Sequence, residues 1–159
     1  MKIKPIRQRD ASGCGPACIE MVLNYFDIPH TVSKISSVTK YKKGGGLYNT
    51  QLIEALKAFG LKTKVHKNTS WDDLATYNRD HVVIVLSWML AGYVGHLSVL
   101  EKIDDKHIYL AEPTQGKIVR IEKIKFLRLW LDYEATGIGK WYPEKKSDIQ
   151  LRWMVIVSK

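Results

Sequence analysis

The residues most able to do chemistry stand together near the start of the chain. In Gln8-Arg-Asp-Ala-Ser-Gly-Cys14-Gly-Pro-Ala-Cys18, one cysteine lies between two glycines and just ahead of a proline. Proline suits the first turn of a helix, where its missing N–H costs nothing, so Cys14 is placed at a helix N-terminus. The positive end of the helix dipole favours thiolate over thiol at such a position. The flanking glycines let backbone and substrate approach closely. Gln8, six residues upstream, carries an amide N–H able to join the Cys14 backbone N–H in an oxyanion hole. The chemistry is nucleophilic attack by sulfur on a carbonyl carbon.

Such a nucleophile needs a base, and five histidines are available. His30 lies in an Ile-Pro-His-Thr turn, His66 on the polar face of a strand, His81 at the start of an apolar run and His107 after an Asp-Asp turn. His96 differs from them. It opens a strand after Gly95, where the ring can project from a strand end into a cleft. Sixteen residues later, Glu112-Pro113 closes the next strand. If the two strands form a hairpin, the Glu112 carboxylate returns beside His96 and can hold its ring N–H.

These groups must be positioned by the elements around them. Residues 16–26 read as a helix with Ile19, Val22, Leu23 and Phe26 on one stripe, widened by Cys18, Met21 and Tyr25. So broad a stripe predicts a helix buried on most sides, and it places Cys18 in the core. A second helix, capped by Asn49 or Thr50, carries Leu52, Ile53, Leu56 and Phe59 on one face and stops at Gly60. A shorter helix is expected over 33–38. From Leu61 the apolar period changes to two, giving a half-buried strand over 61–66. A short capped helix over 69–77 follows, then strands over 81–88, 95–103, 107–111 and 117–122. A short helix over 123–130 and a strand over 153–157 end the series. Helices first and strands afterwards predict an α+β fold, with helices packed on a mostly antiparallel sheet.

Composition narrows the field. The chain has 159 residues, 45% hydrophobic and 26% charged, as in an ordinary globular domain. It shows no repeat or dividing linker, so 1–159 reads as a single domain. The longest apolar run, 82–86, is far short of the ~20 residues of a membrane span, and no apolar signal region opens the chain. Two cysteines are too few for a disulfide scaffold, which predicts a reducing, cytoplasmic setting. With 25 Lys and Arg against 16 Asp and Glu, the net charge is +9, favouring acidic partners without naming one. Lys42, Lys43, Lys62, Lys64 and Lys67 read as wet faces rather than a nucleic-acid patch. The loop Lys40-Tyr-Lys-Lys-Gly-Gly-Gly46 lacks the Gly-Lys-Ser/Thr ending of a phosphate loop and reads as a flexible basic loop, able to border a cleft. Trp71, Trp88, Trp130, Trp141 and Trp153 are scattered, as core or cleft-wall residues are. A zinc site built on Cys14 and Cys18 lacks the second cysteine pair of structural sites.

Taken in order, Gln8-x5-Cys14-Gly-Pro-Ala-Cys18, Gly95-His96 opening a strand, and Glu112-Pro113-x-x-Gly116 resemble the bacteriocin-processing, double-glycine cysteine peptidases of the papain-like clan. The helix ending Lys57-Ala-Phe-Gly60-Leu matches a further landmark of that family, and the likeness covers about residues 4–131. It implies a papain-like fold, Cys14 as nucleophile, His96 as base and Gln8 in the oxyanion hole. The family usually has aspartate where this chain has Glu112, so the orienting group is Glu112, with Gln115 and Asp104 as substitutes. The best-known members are N-terminal domains of membrane transporters. Here the chain runs on through 136–143 into Arg152-Trp-Met-Val-Ile-Val157, like a free-standing relative, and association with a transporter stays open.

The expectation is a cysteine peptidase acting on a peptide or protein substrate, after small or glycine residues, with no metal or organic cofactor and no nucleic acid. The same dyad with an amine acceptor would make an acyltransferase or transpeptidase. The same cleft without chemistry would make a peptide-binding module.

Overall fold

In the computed structural model, which describes residues 2–92, 94–133 and 145–159, three helices precede nearly all of the sheet. They are α1 (Cys14–Tyr25), α2 (Val32–Thr39) and α3 (Asn49–Ala58). Strand β1 (Lys62–His66) and helix α4 (Trp71–Tyr77) lead into an antiparallel meander of β2 (Val83–Leu90), β3 (Val94–Ile103), β4 (His107–Glu112) and β5 (Lys117–Glu122). Helix α5 (Lys123–Leu129), two short paired strands β6 (Leu131–Tyr133) and β7 (Ile149–Leu151), and β8 (Met154–Ser158) complete the described chain. The main sheet has the order β1-β8-β2-β3-β4-β5. This is the expected α+β architecture of helices on an antiparallel sheet. Trp141 and the stretch 136–143, like Tyr93, lie outside the described residues.

Strand alternation sends successive side chains to opposite faces, and each face builds its own core. On one, Val83, Val85, Leu97, Val99, Val155 and Val157 meet Ile19, Val22 and Leu23 of α1 and Leu52 and Leu56 of α3. On the other, Leu86, Trp88, Leu100 and Leu110 meet Leu74 of α4 and Phe126 of α5. Helix α1 packs on β3 and is flanked by α2 and α3, which explains its wide apolar stripe.

Local departures have local causes. Helix α3 is capped by Tyr48, whose backbone N–H donates to the Gln51 side chain at 3.0 Å, so Asn49 is the first helical residue rather than the cap. His81 has φ 63° and sits before β2, not within it. Val65 is 40% exposed, because β1 lies at the edge of the sheet and pairs, among the described residues, with β8 alone. Strands β6 and β7, three residues each, were not expected from the sequence; they are too short to show an apolar period.

Candidate active site

Helix α1 begins at Cys14 itself, with buried Gly13 as its N-cap. The first amides of a helix have no acceptor within it, so the Cys14 N–H is a donor without an intrahelical partner. Gly15, which follows Cys14, is needed for packing. A Cβ on Gly15 would lie 2.6 Å from Leu47 Cδ2, and one on Gly13 would lie 3.5 Å from the Gln8 Cβ. Gln8 therefore runs directly past the turn that carries Cys14.

His96 reaches the same place from the sheet. Ala91 and Gly92, both at positive φ, turn the chain from β2 into β3. His96 then pairs with Trp88 across the ladder. The indole packs edge-on against the imidazole, with centroids 5.7 Å apart, and its Nε1 donates to Ser98 Oγ at 3.1 Å. The ring is 4% exposed. Its Nε2 donates to Glu112 Oε1 at 2.5 Å, and the Cys14 side chain is near enough to the ring to help raise its pKa. With Nε2 taken by Glu112, Nδ1 is the atom left for sulfur. Burial opposes a charge on the ring, but the bonds to Cys14 and Glu112 outweigh it and push the His96 pKa up to about 9.

Glu112 is 1% exposed, and its carboxylate is fully engaged. Oε1 accepts the Thr114 N–H and Oε2 the Gln115 N–H, each at 2.9 Å. Burial raises its pKa, yet the bonds from His96 and these amides together bring it below the ordinary carboxylate range. Continuing the register beyond Val99↔Ala111 sets Glu112 across from Ser98, a diagonal neighbour of His96 on the same face. A glutamate has the length to close that diagonal. Of the substitutes considered, Gln115 contributes only its backbone N–H. Asp104 is engaged with Lys106, His107 and Tyr109 at the far end of the hairpin.

Gln8 is tied at both ends. Its backbone N–H donates to the Pro113 carbonyl at 2.8 Å, beside Glu112, and its Nε2 donates to the Asp10 carbonyl at 2.8 Å. The remaining sequence candidates lie elsewhere. Cys18 is wholly buried, and burial pushes its thiol well up. His30 bonds to the Ile28 carbonyl, His66 packs at a tilt against Tyr77, and His107 faces Asp104 and Tyr109. Lys42, Lys43, Lys62, Lys64 and Lys67 are all exposed.

Sequence reasoning missed Asp10, Ser12 and Tyr41. The Tyr41 hydroxyl donates to Asp10 Oδ1 at 2.5 Å, and the Gly44 N–H donates to Ser12 Oγ at 2.8 Å. Burial raises the Tyr41 pKa first, the Asp10 bond adds to it, and the Cys14 charge contributes too. The basic loop over 40–46 therefore borders Cys14. Its glycines and position were visible in the sequence, but the partner of its tyrosine was not.

The chain is similar to known proteins over most of its length. It is 23% identical over 149 residues to the SPbeta prophage-derived sublancin-168-processing and transport ATP-binding protein SunT of Bacillus subtilis (strain 168), covering 89% of this chain and 20% of that protein. The chain thus spans about a fifth of the length of that curated relative. Its fold matches the peptidase domain of Streptococcus ComA, a bifunctional ABC transporter involved in quorum sensing, at TM-score 0.71 and 16% identity, covering 98% of both chains. It matches a double glycine motif protease from an AMS/PCAT transporter, solved in complex with the leader peptide, at TM-score 0.71 and 19% identity, covering 99% of this chain and 94% of that one. These likenesses show the papain-like fold. Residues 2–136 match the family's sequence pattern directly, and the chain belongs to the Peptidase C39 family.

Proposed function

We propose that this chain is a cysteine peptidase acting through Cys14 and His96 as one peptidase domain over 1–159. The observation that carries the reading is a buried imidazole bonded to Glu112, with the Cys14 side chain near enough to help raise its pKa. The Cys14 thiolate adds to a peptide carbonyl. The oxyanion that forms is held by the Cys14 N–H and the Gln8 amide. His96, protonated and held by Glu112, gives its Nδ1 proton to the leaving amine as the C–N bond breaks and a thioester remains. Water then attacks the thioester, His96 takes its proton, and the C–S bond breaks to release the acid and restore the Cys14 thiolate beside protonated His96.

The substrate is a peptide or protein cut after small or glycine residues. The leader peptide bound by the AMS/PCAT protease supports that class. Two free thiols, Cys14 and Cys18, support a cytoplasmic setting. Among the described residues no helix is long and apolar enough to cross a membrane.

The test is alkylation of Cys14 by iodoacetamide across pH, read by mass spectrometry with Cys18 as internal control. Reaction at Cys14 that persists at pH 6 and is lost in His96→Ala supports the thiolate–imidazolium pair. Reaction at Cys14 indifferent to His96 sinks it and leaves a peptide-binding module. Cleavage of glycine-containing peptides with an added amine then separates hydrolysis from acyl transfer by the products formed.

A further inference from the structure

The loop over 40–46, between α2 and α3, is held by a set of bonds that neither core requires. Tyr41 Oη donates to Asp10 Oδ1, and Ser12 Oγ lies 2.7 Å from that hydroxyl and 2.9 Å from the same carboxylate oxygen. The Ser12 N–H donates to Asp10 Oδ1 at 3.0 Å, and the Gly44 N–H donates to Ser12 Oγ. The main chain of the same aspartate faces the other way. Its carbonyl accepts Gln8 Nε2 at 2.8 Å and the Gly13 N–H at 3.2 Å. One residue thus grips the loop with its side chain and the Gln8 amide with its backbone.

That arrangement matters because Gln8 lies outside any helix or strand. Its side-chain direction rests on few restraints. A carbonyl can only accept, so Asp10 selects the NH2 end of the amide over its oxygen. The NH2 group keeps a second N–H after serving Asp10. Gln8 Oε1 is buried without a partner among the described residues, so the amide is held from its nitrogen end. The Asp10 carbonyl also draws Gln8 Nε2 and the Gly13 N–H to one point, next to Cys14. Tyr41 fixes the turn from 31 residues further along the chain.

We propose that Asp10 and Tyr41 are positioning residues of the oxyanion hole, latching the basic loop to the turn that aims the Gln8 amide. The inference rests on the reading of Gln8 given above. The Tyr41 bond, partly offset by burial, also lowers the Asp10 pKa, so the acceptor stays ionised at neutral pH.

A peptide aldehyde tests it, since its hemithioacetal oxygen needs the oxyanion hole whereas alkylation by iodoacetamide does not. Affinity for acetyl-glycyl-glycinal, read as protection of Cys14 from alkylation, is measured in the full chain and in Tyr41→Phe, Gln8→Ala and the double variant. Tyr41→Phe is expected to weaken the aldehyde about tenfold, toward the loss of an oxyanion donor itself. The double variant should bind no more weakly than Gln8→Ala, because the two residues act as one unit. Asp10→Ala should reproduce the Tyr41→Phe loss, and Asp10→Asn, which keeps an acceptor oxygen for Tyr41, should restore most of it. That rescue also distinguishes positioning from misfolding. Wild-type affinity in both Tyr41→Phe and Asp10→Ala, or single losses that simply multiply in the double variant, overturns the proposal. If either occurs while alkylation still depends on His96, the peptidase reading stands and the positioning role alone falls. If alkylation is independent of His96, the peptidase reading itself has failed.

Discussion

His96 donates Nε2 to Glu112 Oε1 across 2.5 Å with only 4% and 1% of the two residues exposed. A pair so far from water is screened little by salt, and its geometry is over-determined. Glu112 is pinned by two backbone amides, and His96 is walled by Trp88.

Every group facing the Glu112 carboxylate is a donor: the His96 ring, the Thr114 N–H and the Gln115 N–H. In Glu112→Gln an NH2 group must oppose one of them. The imidazole is then held in the wrong tautomer or not at all, a defect that costs ~10⁴-fold in the serine-protease triad. A loss of that order in kcat/KM on a glycine-containing peptide is expected, with the fold retained by circular dichroism. Near wild-type turnover would remove Glu112 from the mechanism.

Cys14 is one of the groups that raise the His96 pKa. In Cys14→Ala that support disappears, while burial of the ring remains. The His96 titration, followed by NMR of the ring protons, should move down from about 9. An unchanged midpoint would show that sulfur and imidazole are not in contact.

Stability should follow the same two charges. The His96 pKa is raised, so its contribution is complete below the unfolded value of 6.5 and fades as pH climbs through about 9. The Glu112 pKa is lowered, so its contribution is complete above 4.5 and is lost as pH falls below that. Urea midpoints should therefore be highest between those bounds. In His96→Ala the decline above pH 6.5 should flatten, and persistence of the full decline would assign it to other groups.

A Cβ on Gly95 would lie 2.7 Å from Asp132 Oδ1, and Asp132 Oδ2 accepts the buried Ser87 hydroxyl at 2.5 Å. The carboxylate has little freedom to withdraw. Gly95→Ala is expected to cost roughly 1–3 kcal/mol, as other forced overpacking does. Shortening Asp132 to alanine in the same chain should recover part of that loss. Denaturant melts of the two single variants and the double variant measure the coupling.

The elements were legible because their apolar periods are strong. The wide stripe of α1 and the apolar run of β2 each reflect burial that the sequence must encode, and the stop at Gly60 reflects its positive φ. The α1 start was legible from Pro16 with its neighbouring glycines, and the His96–Glu112 encounter from spacing alone, since an antiparallel return brings residues sixteen apart back together. The Asp10–Tyr41 bond was not legible. It joins two irregular segments whose mutual approach depends on how α1, α2 and α3 pack, and no local pattern records that. Strands β6 and β7 were missed for a related reason, being fixed by pairing with each other rather than by a period of their own.

The order β1-β8-β2-β3-β4-β5 leaves the sheet open at both ends. Among the described residues no strand pairs with the outer side of either end strand, and such an edge is a template on which another copy of the chain can add. Lys62 and Lys64 stand exposed on β1, and Lys117 and Arg120 on β5. Two copies docking through their β1 edges would bring such rows to roughly 5 Å, the spacing of neighbouring strands. Like charges at that spacing repel, so the β1 lysines, which the sequence offers as a wet face, oppose pairing of that edge with a second copy.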